Sequence, residues 1–215
     1  IEARLAAAGW PLILFGCDEY RGPLDFLAAS WGCIHRASLR RRKSFLTGFG
    51  VMARKMRAAL FSDHGGPEVI EITDVPIPEP GAGEVRIKVE AAAMNHLDLW
   101  VRRGLPIETP MPHIGGSDLA GVVNAIGPGA EDVPIGLRVA VDPSISYKWY
   151  AGQGRGESFD PSPFQIIGEH TQGGFAEYTV VPAENLLEIP EHVPFERAAA
   201  AGLVFVTAWR ALLTR

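Results

Sequence analysis

The chain has 215 residues, a formal charge of −5, 24 Gly, 17 Pro and only two Cys. The many Gly and Pro residues favour a turn-rich β architecture, and two Cys are too few for a disulfide framework or a four-Cys zinc site. The acidic balance argues against a general nucleic-acid binder, and no apolar stretch reaches the roughly 18 residues that a membrane-spanning helix needs.

Residues 1–51 form a basic segment, which we interpret as a poorly structured extension, with a wrongly assigned start of the protein as one explanation. It holds both cysteines and the run Arg40–Lys43. There are two alternative interpretations. The segment could be a basic cluster that binds phosphate or a membrane surface, or it could be part of an organellar targeting peptide. Met52 and Met56 lie just before the first strand-like run and are candidate starts of the protein, so we place a domain boundary after residue 51.

From Met56 onward the pattern predicts short strands separated by turns. Glu84–Val89 is the clearest strand, because apolar residues alternate with charged ones along it and it continues into three alanines. We therefore expect a mainly β fold with a few helices. The other predicted strands are Met56–Phe61, Val69–Ile72, Leu119–Ile126, Leu137–Val141 and Phe175–Val181, with a loop at Val75–Gly83 and a polar surface excursion at Tyr147–Pro163.

Helices are predicted after Asn95 and at the end of the chain. Asn95 suits an N-cap, and Asp98 places an acid in the first turn, where it complements the helix dipole. Gly104 suits a helix stop. Phe195–Ala201 and Val204–Leu213 are predicted to be helices that are separated near a glycine.

Six local strings in a fixed order resemble one family. Together they resemble the N-terminal catalytic domain of the medium-chain dehydrogenase/reductases, the group of zinc alcohol dehydrogenases and quinone oxidoreductases. The resemblance implies a GroES-like, partly open β-barrel that precedes a Rossmann domain for NAD or NADP. The strings are Pro78–Val85, Asn95–Asp98, Gly116–Val123, Gly136–Val139, Gly173–Tyr178 and Ala198–Trp209.

The Rossmann domain itself is not recognisable in this chain. No G-x-G-x-x-G occurs, and Gly152–Gly156 has the wrong spacing and no preceding strand. We therefore expect residues 52–203 to form the GroES-like domain and residues 204–215 to begin the crossover helix toward the absent domain. On this interpretation the chain is truncated and inactive by itself.

The resemblance also implies which positions would hold zinc. In the zinc alcohol dehydrogenases the catalytic ion is held by Cys, His and Cys. Here Asn95 stands at the first Cys position, Ser117 at the His position and Leu203 near the second Cys position, and these are poor replacements for thiolates and an imidazole. We therefore expect both zinc sites to be absent. The structural-site positions carry Tyr147, Tyr150, Gln153 and Pro161, and an alternative oxygen and nitrogen site could use His96, Asp98, His113, Asp118, Glu169 and His170.

The function implied by the resemblance is a zinc-free, NAD(P)H-dependent reduction of quinones or activated C=C bonds. A zinc-type alcohol dehydrogenase homologue and a non-catalytic barrel-only module are the alternatives. We expect a small-molecule substrate as the partner, and neither a nucleic acid nor a membrane. We expect a homodimer or tetramer only for the full-length protein. We expect a cytoplasmic location.

Candidate site residues follow from the same resemblance. Asn95 is expected to donate a hydrogen bond to a carbonyl oxygen or to orient the nicotinamide amide, and a purely capping role is compatible with this. Asp98 is expected to orient neighbouring groups or to make a structural hydrogen bond. The remaining assignments are cofactor contacts for His96 and Thr207 and the substrate cleft for Ser117 and Asp118.

Overall fold

The computed structural model describes residues 54–145 and 164–213, together with the short strand Leu12–Ile13. The other residues of the basic extension, and the four structural-zinc positions, lie outside the described residues. The strands are β1 (Leu12–Ile13), β2 (Lys55–Phe61), β3 (Glu71–Pro76), β4 (Glu84–Ala93), β5 (His113–Ile114), β6 (Asp118–Ile126), β7 (Arg138–Val141), β8 (Ser144–Ile145), β9 (Gln165–Ile166), β10 (Tyr178–Pro182) and β11 (Leu186–Glu188).

Three α-helices accompany these strands in the described part of the chain. They are α1 (His96–Arg103), α2 (Phe195–Ala200) and α3 (Gly202–Leu213), and 3-10 turns occupy Pro67–Val69 and Ala183–Asn185. None of the helices described is long and apolar enough to cross a membrane.

A six-stranded sheet forms the centre of the domain, with β4 and β6 as its longest pair. The order is β1-β4-β6-β7-β11, and β10 also pairs with β4. Val85 and Ile87 of β4 point into the core and are fully buried, as the alternation in the sequence predicts. Register shifts in the β4–β6 pair interrupt the ladder, and such bulges bend and twist a sheet. Two smaller sheets, β3-β2-β5 and β8-β9, lie beside it and leave the barrel partly open.

Helix α2 packs closely against the central sheet because the residues between them are small. Ala198 and Ala199 contact Ala91 of β4 and Ala120 of β6 in a separate apolar cluster. This packing places the start of α3 directly over the beginning of β6. The start of α1 reaches the same region, because the side chain of Asn95 bonds to Asp118 at the beginning of β6.

Most predicted elements agree with the structure, and two differ for physical reasons. The second strand begins at Glu71 and not at Val69, because Pro67 starts a 3-10 turn there. It runs on to Pro76, which an edge strand tolerates since its outer N–H groups need no partner. The strand predicted from Phe175 begins only at Tyr178, because the backbone N–H of Phe175 bonds to the loop residue Gly115 instead.

Candidate functional site

An open cleft of about 720 Å³ lies between α1 and α3. Its lining is largely apolar, with a few polar side chains from the two helices and one serine. Such a lining suits a small molecule with a flat or hydrophobic body and one or two polar atoms. The described lining residues are Asn95, His96, Leu97, Trp100, Pro143, Ser144, Phe164, Ile166, Leu203, Val204, Val206, Thr207 and Ala211.

Asn95 and Asp98 form a reciprocal capping box at the start of α1, as the spacing of the two residues predicts. Asp98 Oδ2 accepts from the backbone N–H of Asn95 at 2.7 Å, and Oδ1 accepts from the N–H of Gly116 at 2.9 Å. Asp98 is only 6% exposed, and burial raises the pKa of its carboxyl to about 6. Asp98 therefore ties the first turn of α1 to the loop that precedes β6.

Asp118, the first residue of β6, joins the two helices that line the cleft. Its Oδ2 accepts from Nδ2 of Asn95 at 2.9 Å, and its Oδ1 accepts from the backbone N–H of Leu203 at 2.8 Å. Asp118 is 1% exposed, and burial raises the pKa of its carboxyl, while these two donors oppose the shift. One buried carboxylate thus contacts both Asn95 and the first turn of α3.

His96 and Thr207 lie on opposite helical walls of the cleft and are exposed. The ring of His96 packs edge-on against Trp100, with 5.1 Å between the ring centroids. The structure therefore brings Asn95, His96 and Thr207 to one cleft, although their proposed contacts with a cofactor stay predictions.

Ser117 and Asp118 do not line the described part of the cleft but lie beneath it. Ser117 is fully buried, and among the described residues its Oγ has no hydrogen-bond partner. Asp118 reaches the cleft only through Asn95 and Leu203. Direct substrate contact by either residue stays a prediction.

Sequence reasoning missed the residues that complete the site. Leu203 was noted only as a replaced ligand position, whereas its backbone N–H bonds to Asp118. Trp100 has no site role in the sequence analysis, yet it is half-exposed and lines the cleft. The one available indication for Trp100 was its position one helical turn after His96, on the same face.

A zinc ion does not fit the residues that occupy the family's catalytic ligand positions. Asn95 uses its amide to hold Asp118, Ser117 is a buried hydroxyl, and Leu203 has an aliphatic side chain. Within residues 54–145 and 164–213, no three His, Cys, Asp or Glu side chains come close enough to hold a metal ion. The six residues of the alternative site are therefore not gathered into one cluster.

The fold and this cleft correspond to a known domain type. The family model "Alcohol dehydrogenase GroES-like domain" matches residues 81–191, more than half of the chain. The chain belongs to this family, within the medium-chain dehydrogenase/reductases. This confirms the resemblance and the fold class that the sequence predicts.

Three similar proteins illustrate the range of the relatives. An alcohol dehydrogenase of Schizosaccharomyces pombe is 36% identical over 162 residues, which cover 74% of this chain and 46% of that protein. Human quinone oxidoreductase is 32% identical over 160 residues, covering 74% and 41%. A crystal structure of an NAD-dependent alcohol dehydrogenase superposes with a TM-score of 0.66 at 44% identity, covering 74% of this chain and 47% of that one.

The chain spans less than half the length of these curated relatives. They are oxidoreductases by name, and the solved structure is named as NAD-dependent. The family of the domain agrees with the prediction. The names of the relatives include both an alcohol dehydrogenase and a quinone oxidoreductase.

Proposed function

We propose that this domain serves a zinc-free oxidoreductase that reduces quinones or activated C=C bonds with NADH or NADPH. The observation that carries the proposal is the fixed amide of Asn95 at the cleft. An amide nitrogen has two hydrogens, and the Asp118 carboxylate accepts only one of them. The other hydrogen can bond to a substrate carbonyl oxygen.

The residues of the cleft suit a nicotinamide ring as well as a substrate. The apolar lining accommodates a flat ring, and the hydroxyl of Thr207 and the imidazole of His96 can bond to a carboxamide. When bound, reduced nicotinamide supplies a hydride, and this chain's residues position the acceptor. His96 and Thr207 would hold the carboxamide from the two opposite walls.

Asn95 would stabilise the charge that forms on the substrate oxygen during reduction. Asn95 is 8% exposed, and a donor that is held in place inside a poorly hydrated site is stronger than one in water. Asp118 holds the amide by one hydrogen, which reduces the reorganisation needed when the charge develops. This role needs no metal, which agrees with the poor zinc-ligand set.

The test uses the complete product of the gene that encodes this chain, which is found by reading the gene past Arg215. The wild type should oxidise NADH or NADPH in the presence of a naphthoquinone or an enone, and a chelator should leave the rate unchanged. Asn95→Ala should lower kcat by roughly 100-fold, the loss typical of removing one oxyanion donor. Asn124→Ala is the matched control, since Asn124 is exposed on β6 and bonds to Arg86. A product that oxidises neither cofactor would instead support the barrel-only module.

A zinc-type alcohol dehydrogenase is the second candidate, because the structure at 44% identity is a named NAD-dependent alcohol dehydrogenase. In this alternative the ion would need ligands other than Asn95, Ser117 and Leu203. Metal analysis of the purified product separates the two candidates. About one zinc per chain, together with alcohol oxidation that a chelator abolishes, would overturn the zinc-free proposal.

A further inference from the structure

The two helices that form the cleft share one buried carboxylate. Asp118 Oδ2 accepts from the side chain of Asn95 beside α1, and Asp118 Oδ1 accepts from Leu203 in the first turn of α3. The first N–H groups of a helix lack intrahelical partners, and a carboxylate at this end also complements the helix dipole. Asp118 thus acts as a cap for α3 although it lies 85 residues before Leu203 in the chain.

Gly202 provides a second, independent observation at the same contact. A Cβ atom on this residue would collide with Asp118 Oδ1. Only glycine at the start of α3 therefore lets the carboxylate approach the helix end closely. The fit between Gly202 and Asp118 determines how near α3 can lie to β6, and hence how wide the cleft is.

We propose that Asp118 is a positioning residue that couples the orientation of the Asn95 amide to the placement of α3. This inference rests on the proposed function, since it assigns the cleft as the place of reaction. Because Asp118 binds one hydrogen of Nδ2, the amide cannot turn its oxygen toward Asp118 without losing the bond. The same carboxylate fixes the helix that carries Thr207. Asp118 therefore sets the distance between the substrate donor on one wall and the cofactor contact on the other.

The chain offers variants that separate the two bonds of Asp118. Asp118→Ala removes both acceptor oxygens and breaks both bonds, whereas Asp118→Asn keeps one oxygen, which still accepts from Leu203 when the Asn95 amide turns its own oxygen toward the new NH2 group. Gly202→Ala should disturb the same contact from the helix side. The double variant Asn95→Asp with Asp118→Asn exchanges donor and acceptor, and it allows both hydrogen bonds to form again. Glu169→Gln is the matched control, since Glu169 is also a buried acid, and its carboxylate lies 3.9 Å from His170.

Amide hydrogen exchange of the 215-residue chain measures the placement of α3 directly. Exchange of the Leu203 N–H should become about tenfold or more faster in Asp118→Ala and in Gly202→Ala, as expected for losing a hydrogen bond to a charged group. The double variant Asn95→Asp with Asp118→Asn should keep the protection, and Glu169→Gln should leave it unchanged. Unchanged exchange in both Asp118→Ala and Gly202→Ala, or an equal rise in Glu169→Gln, would overturn the inference.

Kinetics of the complete gene product then tests the coupling to Asn95. The double variant should keep the protection of α3 and yet remain slow in quinone reduction, because the donor of Asn95 has been replaced by an acceptor. Asp118→Asn alone should also be slow, because Asn95 must turn its oxygen toward the new amide, whereas a merely structural role for Asp118 predicts full activity in that variant. If the wild type shows no reductase activity, the proposed function fails while the exchange experiment still decides the placement of α3. Full activity in the double variant would overturn the coupling to the Asn95 amide.

Discussion

Ionisation of Asp98 should make the stability of this domain depend on pH in a direction unusual for an aspartate. Burial raises the pKa of Asp98 from 3.8 to about 6. Since one pKa unit corresponds to about 1.4 kcal/mol, the ionised form costs the folded state about 3 kcal/mol relative to an exposed aspartate. The folded pKa of Asp98 lies above the unfolded one. The stability that comes from keeping Asp98 protonated is therefore fully present below about pH 4 and is lost as the pH rises through about 6.

Asp98→Asn is the perturbation that isolates this effect. The variant cannot ionise. Its NH2 group must, however, face one of the two backbone N–H groups, of Asn95 or Gly116, that donate to Asp98, and that hydrogen bond is lost. It should therefore be less stable than the wild type at acid pH, by about 2 kcal/mol for a lost buried hydrogen bond. The free-energy difference between the two proteins should then shift by about 3 kcal/mol in favour of the variant between about pH 3 and about pH 8.

Urea unfolding of both proteins across this pH range provides the measurement. Asp74→Asn is the control, since it removes an exposed carboxylate of β3 and so measures the effect of losing one surface charge. Parallel curves for the wild type and Asp98→Asn would refute the reasoning, because they would mean that Asp98 titrates alike in the folded and unfolded chains.

Three further substitutions test the packing that surrounds the site. Gly121→Ala should destabilise the domain by about 3 kcal/mol or prevent folding, because the added Cβ would collide with the carbonyl oxygen of Lys88 on the paired strand; thermal unfolding measures this. Asn185→Ala should cost about 2 kcal/mol in urea unfolding, because the buried Nδ2 donates to two backbone carbonyl oxygens near β8. Trp209→Gln should change stability by less than about 0.5 kcal/mol and reduce binding of a hydrophobic dye, because Trp209 is 68% exposed on α3.

The sequence predicts the local elements well where the pattern and the tertiary contacts agree. Glu84–Ala93 is one example, because its alternating residues face either the core or the surface of the sheet. The helix after Asn95 is another, because its capping box and its glycine stop are set by residues close in the chain. β3 is less predictable, since an edge strand with one paired neighbour shows weak alternation.

The resemblance predicts candidate site residues, but only the structure shows how they are connected. The resemblance places Asn95, Asp98 and Asp118 at functional positions, and the local spacing alone explains the first two as a cap. The bond from Leu203 to Asp118 depends on how α2 packs against the sheet, and no local pattern encodes that distance. Ser117 shows the opposite case, because the strand entrance predicts a cleft position and the structure buries the side chain completely.

The polar network beneath the cleft is costly for a domain of this size. Asp98 and Asp118 are both almost fully buried, and burial raises the pKa of both carboxyls. Four donors compensate: the backbone N–H groups of Asn95, Gly116 and Leu203, and the amide of Asn95. Apolar side chains could hold the same helices without this desolvation cost. Three of these bonds involve Asn95 or the start of α3. The network is therefore best explained as fixing the direction of one amide and the position of one helix, the two features on which the proposed function depends.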